Sequence, residues 1–204
     1  MKKSMSKLLI LLITLLMCFN ALPVFAANGS NGDAVYRDGV YLIYDHAAIL
    51  KYGSDGSNMV IETVGNGPVT YDNWTTFLGG HNYLGAFYNP SYQPASSILA
   101  TAASLEAVPG LQYSWQGQMY VDSTAGSLIT PEHITTLRCD GLVEYCYEYN
   151  NSRIWGCASA ADSNWDISLK SNVSVHQSLG TNGYYYISPN VQCSQTSYTK
   201  LIKR

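Results

Sequence analysis

Only 12% of the 204 residues are charged, and fourteen acidic against eleven basic side chains give a formal net charge of −3. Three of those basic residues, Lys2, Lys3 and Lys7, are gathered at the N-terminus ahead of an apolar run. The rest of the chain is more acidic still and has no basic patch for a phosphate backbone, which speaks against nucleic-acid binding.

The apolar run extends from Leu8 to Phe19, and Val24-Phe-Ala26 offers small residues at the −3 and −1 positions of a cleavage site. This is the pattern of a secretory signal peptide over residues 1–26, too short for a confident membrane helix. Leu-Leu-Met ahead of Cys18 is a poor lipoprotein box. We therefore expect a secreted protein, extracellular or cell-wall associated, with no integral membrane span after cleavage. Residues 27–204 are enough for one domain with its own core.

Residues 27–34 read as a polar lead. Val40 to Leu50, rich in β-branched and aromatic residues, reads as one long or two abutting strands, closed by a turn over Gly53–Ser57. Asn58 to Val64 is a second strand, antiparallel to the first. Gly65-Asn-Gly-Pro68 is another turn, and Val69–Tyr71 a short third strand. Trp74–Tyr92, broken by Gly79, Gly80 and Pro90, reads as loop with some strand. A helix follows Pro94, with Ser96 or Ser97 as cap and Ile98, Ala102 and Leu105 on one face, ending at Pro109-Gly110. Thr130-Pro131 signals a second, short helix.

The informative stretch is Arg138–Tyr149, RCDGLVEYCYEY. Leu142, Val143 and Cys146 follow Cys139 at i+3, i+4 and i+7, on one inward helical face. Cys139 stands at the helix N-terminus, where unpaired N–H groups and the macrodipole put partial positive charge beside its sulfur. That setting makes a cysteine nucleophilic. The competing reading is a small apolar residue opening a buried helix. Beyond Asn150 the chain is rich in Ser, Asn, Gly and Tyr, a C-terminal extension in which only Tyr184–Ile187 looks like a strand. No cysteine pair has zinc-site spacing, and no cofactor is expected.

Cys139-Asp-Gly-Leu-Val143 resembles the Cys-Ser-Gly-Leu-Val segment of the NlpC-type papain-like cysteine peptidases and amidases, with Asp140 in place of serine. Gly110-Leu-Gln-Tyr113-Ser-Trp115 resembles that family's Gly-x-Pro-Tyr-x-Trp segment, with Gln112 in place of proline. Asp45-His46-Ala-Ala-Ile-Leu50, followed by a strand carrying Glu62, resembles the circularly permuted branch, where histidine and polar partner precede the cysteine. The resemblance covers about residues 40–149. It implies an α+β, papain-like fold of permuted strand order, an antiparallel sheet packed on the cysteine helix. It also implies Cys139 as nucleophile, His46 as base, Glu62 as the group orienting the base, and Tyr113 as a substrate-side residue near the sulfur.

Glu62 on an apolar strand needs a partner, and His46, Lys51 and Arg138 all qualify. Among the other histidines, His81 reads as loop, His133 lies on the short helix before the cysteine, and His176 competes as base because it follows the cysteine. With Cys139 free, Cys146 packs in the core and any disulfide joins Cys157 to Cys193. The function implied is an exported cysteine hydrolase cleaving an amide bond, with peptide or peptidoglycan-type material as substrate. The alternatives are an acyl hydrolase acting on lipid esters or amides, and a non-catalytic binding module with a tyrosine-rich tail.

Overall fold

The apolar segments around Ile49 and Ile61 lie side by side in the computed structural model, Ile49 directly opposite Ile61. The structure describes residues 29–39, 45–65, 67–91, 94–154, 164–177, 188–194 and 200–204. The signal segment 1–26, the tyrosine run 184–187, Cys157 and the first part of the Val40–Leu50 stretch lie outside the described residues.

The main sheet grows outward from β2 (His46–Tyr52), whose neighbours are β1 (Ala34–Arg37) and β3 (Asn58–Thr63). A tight turn joins β2 to β3, with Gly53 N–H bonded to Ser57 C=O and Asp55 accepting from the Ser57 N–H. β4 (Val69–Asn73) extends the sheet on one side, β5 (Tyr83–Tyr88) and β9 (Ile202–Lys203) on the other. Every pairing is antiparallel. A second, smaller sheet has β8 (Ile134–Leu137) between β6 (Gln112–Tyr113) and β7 (Met119–Val121). The class is α+β, as expected.

Three findings differ from the reading of the sequence. β1 lies where a polar lead was expected to give way to nothing regular; Ala34, Val35 and Tyr36 are fully buried at the centre of the sheet. The segment after Trp74 is ordered into α1 (Trp74–Leu78) and β5. Asn73 caps α1 by accepting from Thr76 N–H, and Gly79 ends it at φ 52, the left-handed region that favours glycine. Both signals were in the sequence, but Gly79-Gly80 was read as breaking the pattern when it stops a one-turn helix. Finally, α2 (Ala95–Glu106) starts at Pro94 without a side-chain cap, so neither Ser96 nor Ser97 serves as one.

The sheet separates two apolar clusters. The smaller, with Ala48, Leu50 and Val60, is covered by Trp74 and Phe77 of α1. The larger gathers Ile49 and Ile61, Ile98 and Leu105 of α2, and Leu142, Val143 and Cys146 of α3 (Cys139–Glu148). The helix at Thr130-Pro131 is a single 3-10 turn that feeds β8, which leads into α3.

All ten residues of α3 are buried, including Asp140, Glu144 and Glu148. These acids recur every four residues and form a second stripe, which an isolated amphipathic helix would turn to water. Here the stripe is covered. Arg138 grips Asp140 with two hydrogen bonds of 2.5 and 2.7 Å. Gln118 donates to both Asp140 and Glu144, and Gln192 donates to Glu144 and to the Asp140 carbonyl. Glu148 accepts from the N–H groups of Ile154 and Ile167, and desolvation first, then Glu144, holds its carboxyl well above the usual range.

The described parts of the C-terminal stretch therefore belong to the core. Ile154, Ile167, Val173 and Leu201 are buried in the larger cluster. Gln192 of α4 (Pro189–Cys193) is fully buried, and Arg204 holds Asp33 at 2.6 and 2.9 Å. No helix among the described residues is long and apolar enough to cross a membrane.

Candidate active site

Cys139 is the first residue of α3, after Arg138 in an extended conformation that offers no side-chain cap. The first-turn N–H groups are thus not taken by a capping side chain. Two residues on, Gly141 packs against the main chain of Gln118, and a Cβ at this position would collide with the Gln118 carbonyl. The same carbonyl accepts from Arg138 N–H at 2.9 Å. Glycine in Cys-Asp-Gly thus lets the β7 approach and the start of α3 touch, which fixes where the sulfur stands.

His46 opens β2 and Glu62 lies near the end of β3. His46 Nε2 is 2.5 Å from Glu62 Oε2, with both side chains buried. Of the partners open to Glu62, the structure selects the histidine; Arg138 is bound to Asp140, and the Lys51 ammonium lies 4.3 Å over the Tyr71 ring. Cys139 lies beside His46, near enough to weigh on the charge of the imidazole. Nε2 is committed to Glu62, which leaves Nδ1 as the ring nitrogen available to the sulfur. Phe77 backs the imidazole, ring centroids 5.7 Å apart.

Burial alone would depress the His46 pKa, but the charge and hydrogen bond of Cys139, followed by those of Glu62, outweigh it and raise the pKa to about 9. The environment therefore favours the protonated, charged form of the His46 ring. Tyr113 is half-buried beside the same sulfur; desolvation, then the Cys139 charge, raises its pKa. Trp115 stands 63% exposed, its ring 4.9 Å from that of Tyr113 and packed over Gly65.

All four site residues expected from the sequence come together here. The other histidines are elsewhere. His81 pairs with Asp38 at 3.5 Å, and His133 with Asp122 at 3.2 Å. His176 is buried between Glu144 at 3.2 Å, Gln118 Oε1 at 3.1 Å and the Asn164 carbonyl at 3.0 Å, inside the network that covers the acid stripe.

Two neighbours were not anticipated. Asp72 on β4 lies beside Glu62, and desolvation followed by the Glu62 charge keeps its carboxyl above the usual range. Arg37 on β1 lies opposite His46 in the ladder. A charged residue closing each of two strand segments was the available signal.

Cys139, Cys146 and Cys193 are all free thiols. This corrects the expected bridge at Cys193, whose thiol instead donates to the Asn190 carbonyl at 3.5 Å and is pushed up to about 12 by burial. The turn-rich setting that suggested a bridge is a short helix packed on α3 and β2. No group of three or more His, Cys, Asp or Glu among the described residues is placed to hold a metal ion. No family model, no curated protein and no solved structure matches this chain.

Proposed function

We propose that this chain is an exported cysteine hydrolase of the circularly permuted NlpC-like, papain-like kind, cleaving an amide bond in cell-wall peptide. The observation that carries the reading is the His46–Glu62 hydrogen bond beside Cys139, whose charge bears on the imidazole. These three come from the start of a helix and two adjacent strands, and a nucleophile, a base and an orienting carboxylate in contact are what acyl transfer to sulfur requires.

The sulfur of Cys139 attacks the scissile carbonyl carbon. The Cys139 N–H, uncapped at the helix start, supports the oxyanion. His46 then delivers its proton to the leaving amine, releasing it and leaving a thioester on Cys139. In the second half, His46 takes a proton from water, the hydroxide attacks the thioester, and the acid and free sulfur are restored. Glu62 keeps the ring oriented and supports its positive charge throughout.

The test is digestion of purified cell wall by the protein lacking residues 1–26, with released fragments identified by mass spectrometry. Fragments released by the wild type and absent with Cys139→Ala support the reading. Release of fatty acid from lipid ester or amide vesicles, with the wall intact, would redirect it to the lipid-directed alternative. No product from either, with an unreactive Cys139, would leave the binding module.

A further inference from the structure

Arg37 has hydrogen-bonding capacity that no other arginine around α3 retains. Its Nη1 donates to the Asp38 carbonyl at 3.0 Å, and its guanidinium lies 5.8 Å from the centre of the Phe77 ring that also backs His46. Its Nε is buried without a hydrogen-bond partner among the described residues. No carboxylate there forms an ion pair with it, whereas Arg138 and Arg204 each grip an aspartate with two bonds. A buried, unpaired donor on a guanidinium is costly to maintain in a folded protein.

The position is informative as well. Arg37 faces His46 across the β1–β2 ladder and shares the Phe77 ring with it, within electrostatic reach of Glu62 and Cys139. It is half-buried, open enough for an incoming group to reach. Guanidinium donors in a fixed fork match a carboxylate, and a water-poor setting strengthens that match.

We propose that Arg37 is a specificity-determining residue that anchors a free carboxylate of the substrate within a few bonds of the scissile carbonyl. The substrates taken best are then amides whose acyl or amine part bears such a carboxylate, and their neutral counterparts are taken poorly. This rests on the reading of Cys139 as nucleophile and adds a substrate preference to it.

Paired alkylating probes test it without needing the natural substrate. Iodoacetate and iodoacetamide both alkylate a thiolate with loss of iodide and differ only in the carboxylate. The rate of modification of Cys139 by each is followed at neutral pH by peptide mass mapping in wild type, Arg37→Gln and Arg37→Lys. We expect Arg37→Gln to lower the iodoacetate-to-iodoacetamide rate ratio about tenfold, the scale of one charge-assisted hydrogen bond, on top of any common slowing that loss of its charge imposes on both reagents. Arg37→Lys, which keeps the charge and loses the fork, should fall between. A ratio unchanged by Arg37→Gln overturns the proposal and leaves the nucleophile reading standing. Equal slowing of both reagents also overturns it, since Arg37 would then act on the sulfur or on folding. If neither reagent modifies Cys139 in the wild type, the nucleophile reading itself falls and this inference with it.

Discussion

His46 is buried beside Cys139 and Glu62, and its pKa near 9 follows from their effect outweighing desolvation. In the unfolded chain the ring has the ordinary value of about 6.5. A folded pKa above the unfolded one means that the stabilisation is fully present below about pH 6.5 and is lost as pH rises through 9. We therefore expect the wild-type denaturation midpoint to fall between pH 6.5 and 9.5, and to fall less in Cys139→Ala, which lacks one of the two side chains that raise the His46 pKa. Ring-proton NMR titration should place the His46 midpoint near 9 in wild type and lower in Cys139→Ala and in Glu62→Gln. A midpoint near 6.5 in all three would sink the ion-pair account.

At the scale of the element, α3 shows what the sequence disclosed and what it hid. Its apolar face of Leu142, Val143 and Cys146 was legible from helical spacing alone, as was a cysteine at the N-terminus. Its other face was not. Asp140, Glu144 and Glu148 recur at a spacing that normally marks a solvated stripe, and their cover arrives from Gln118, Ile167 and Gln192, remote in the chain. Long-range burial of charge leaves no local mark, because the covering groups are polar residues in segments that read as loop. For the same reason nothing local shows that Asp140, which stands in place of serine, anchors Arg138. Removing one partner of a buried pair strands the other, so Asp140→Asn should destabilise by roughly 3–5 kcal/mol. Gly141→Ala should cost about 2 kcal/mol or more, because the clash is with main chain and cannot be relieved by a rotamer change. Thermal melts check both; wild-type stability in either variant would contradict the packing described.

The whole molecule brings residues 37, 46, 62, 72, 113 and 139 to one place by laying α3 on a sheet whose strands were partly readable as apolar runs. β2, β3 and β4 could be anticipated because each falls in a run of apolar, β-branched or aromatic residues bounded by turn residues. β1 could not, since four residues behind a polar lead give too short a pattern. The C-terminal stretch, by composition an appendage, is stitched in by Leu201, Gln192 and the Arg204–Asp33 pair. Leu201→Ala should therefore lower global stability by roughly 2–5 kcal/mol within a single denaturant transition monitored by tryptophan fluorescence and circular dichroism. Separate transitions would mean that the stretch folds apart from the sheet. The central claim is that Cys139 and His46 act as one chemical unit. It is tested most directly by measuring kcat/KM for fragment release from purified cell wall with Cys139→Ala, His46→Ala and the double variant, each first shown to be folded. The account predicts that either single substitution removes nearly all activity and that the double variant is little worse than either. Losses that multiply in the double variant, or full activity in His46→Ala, would contradict it.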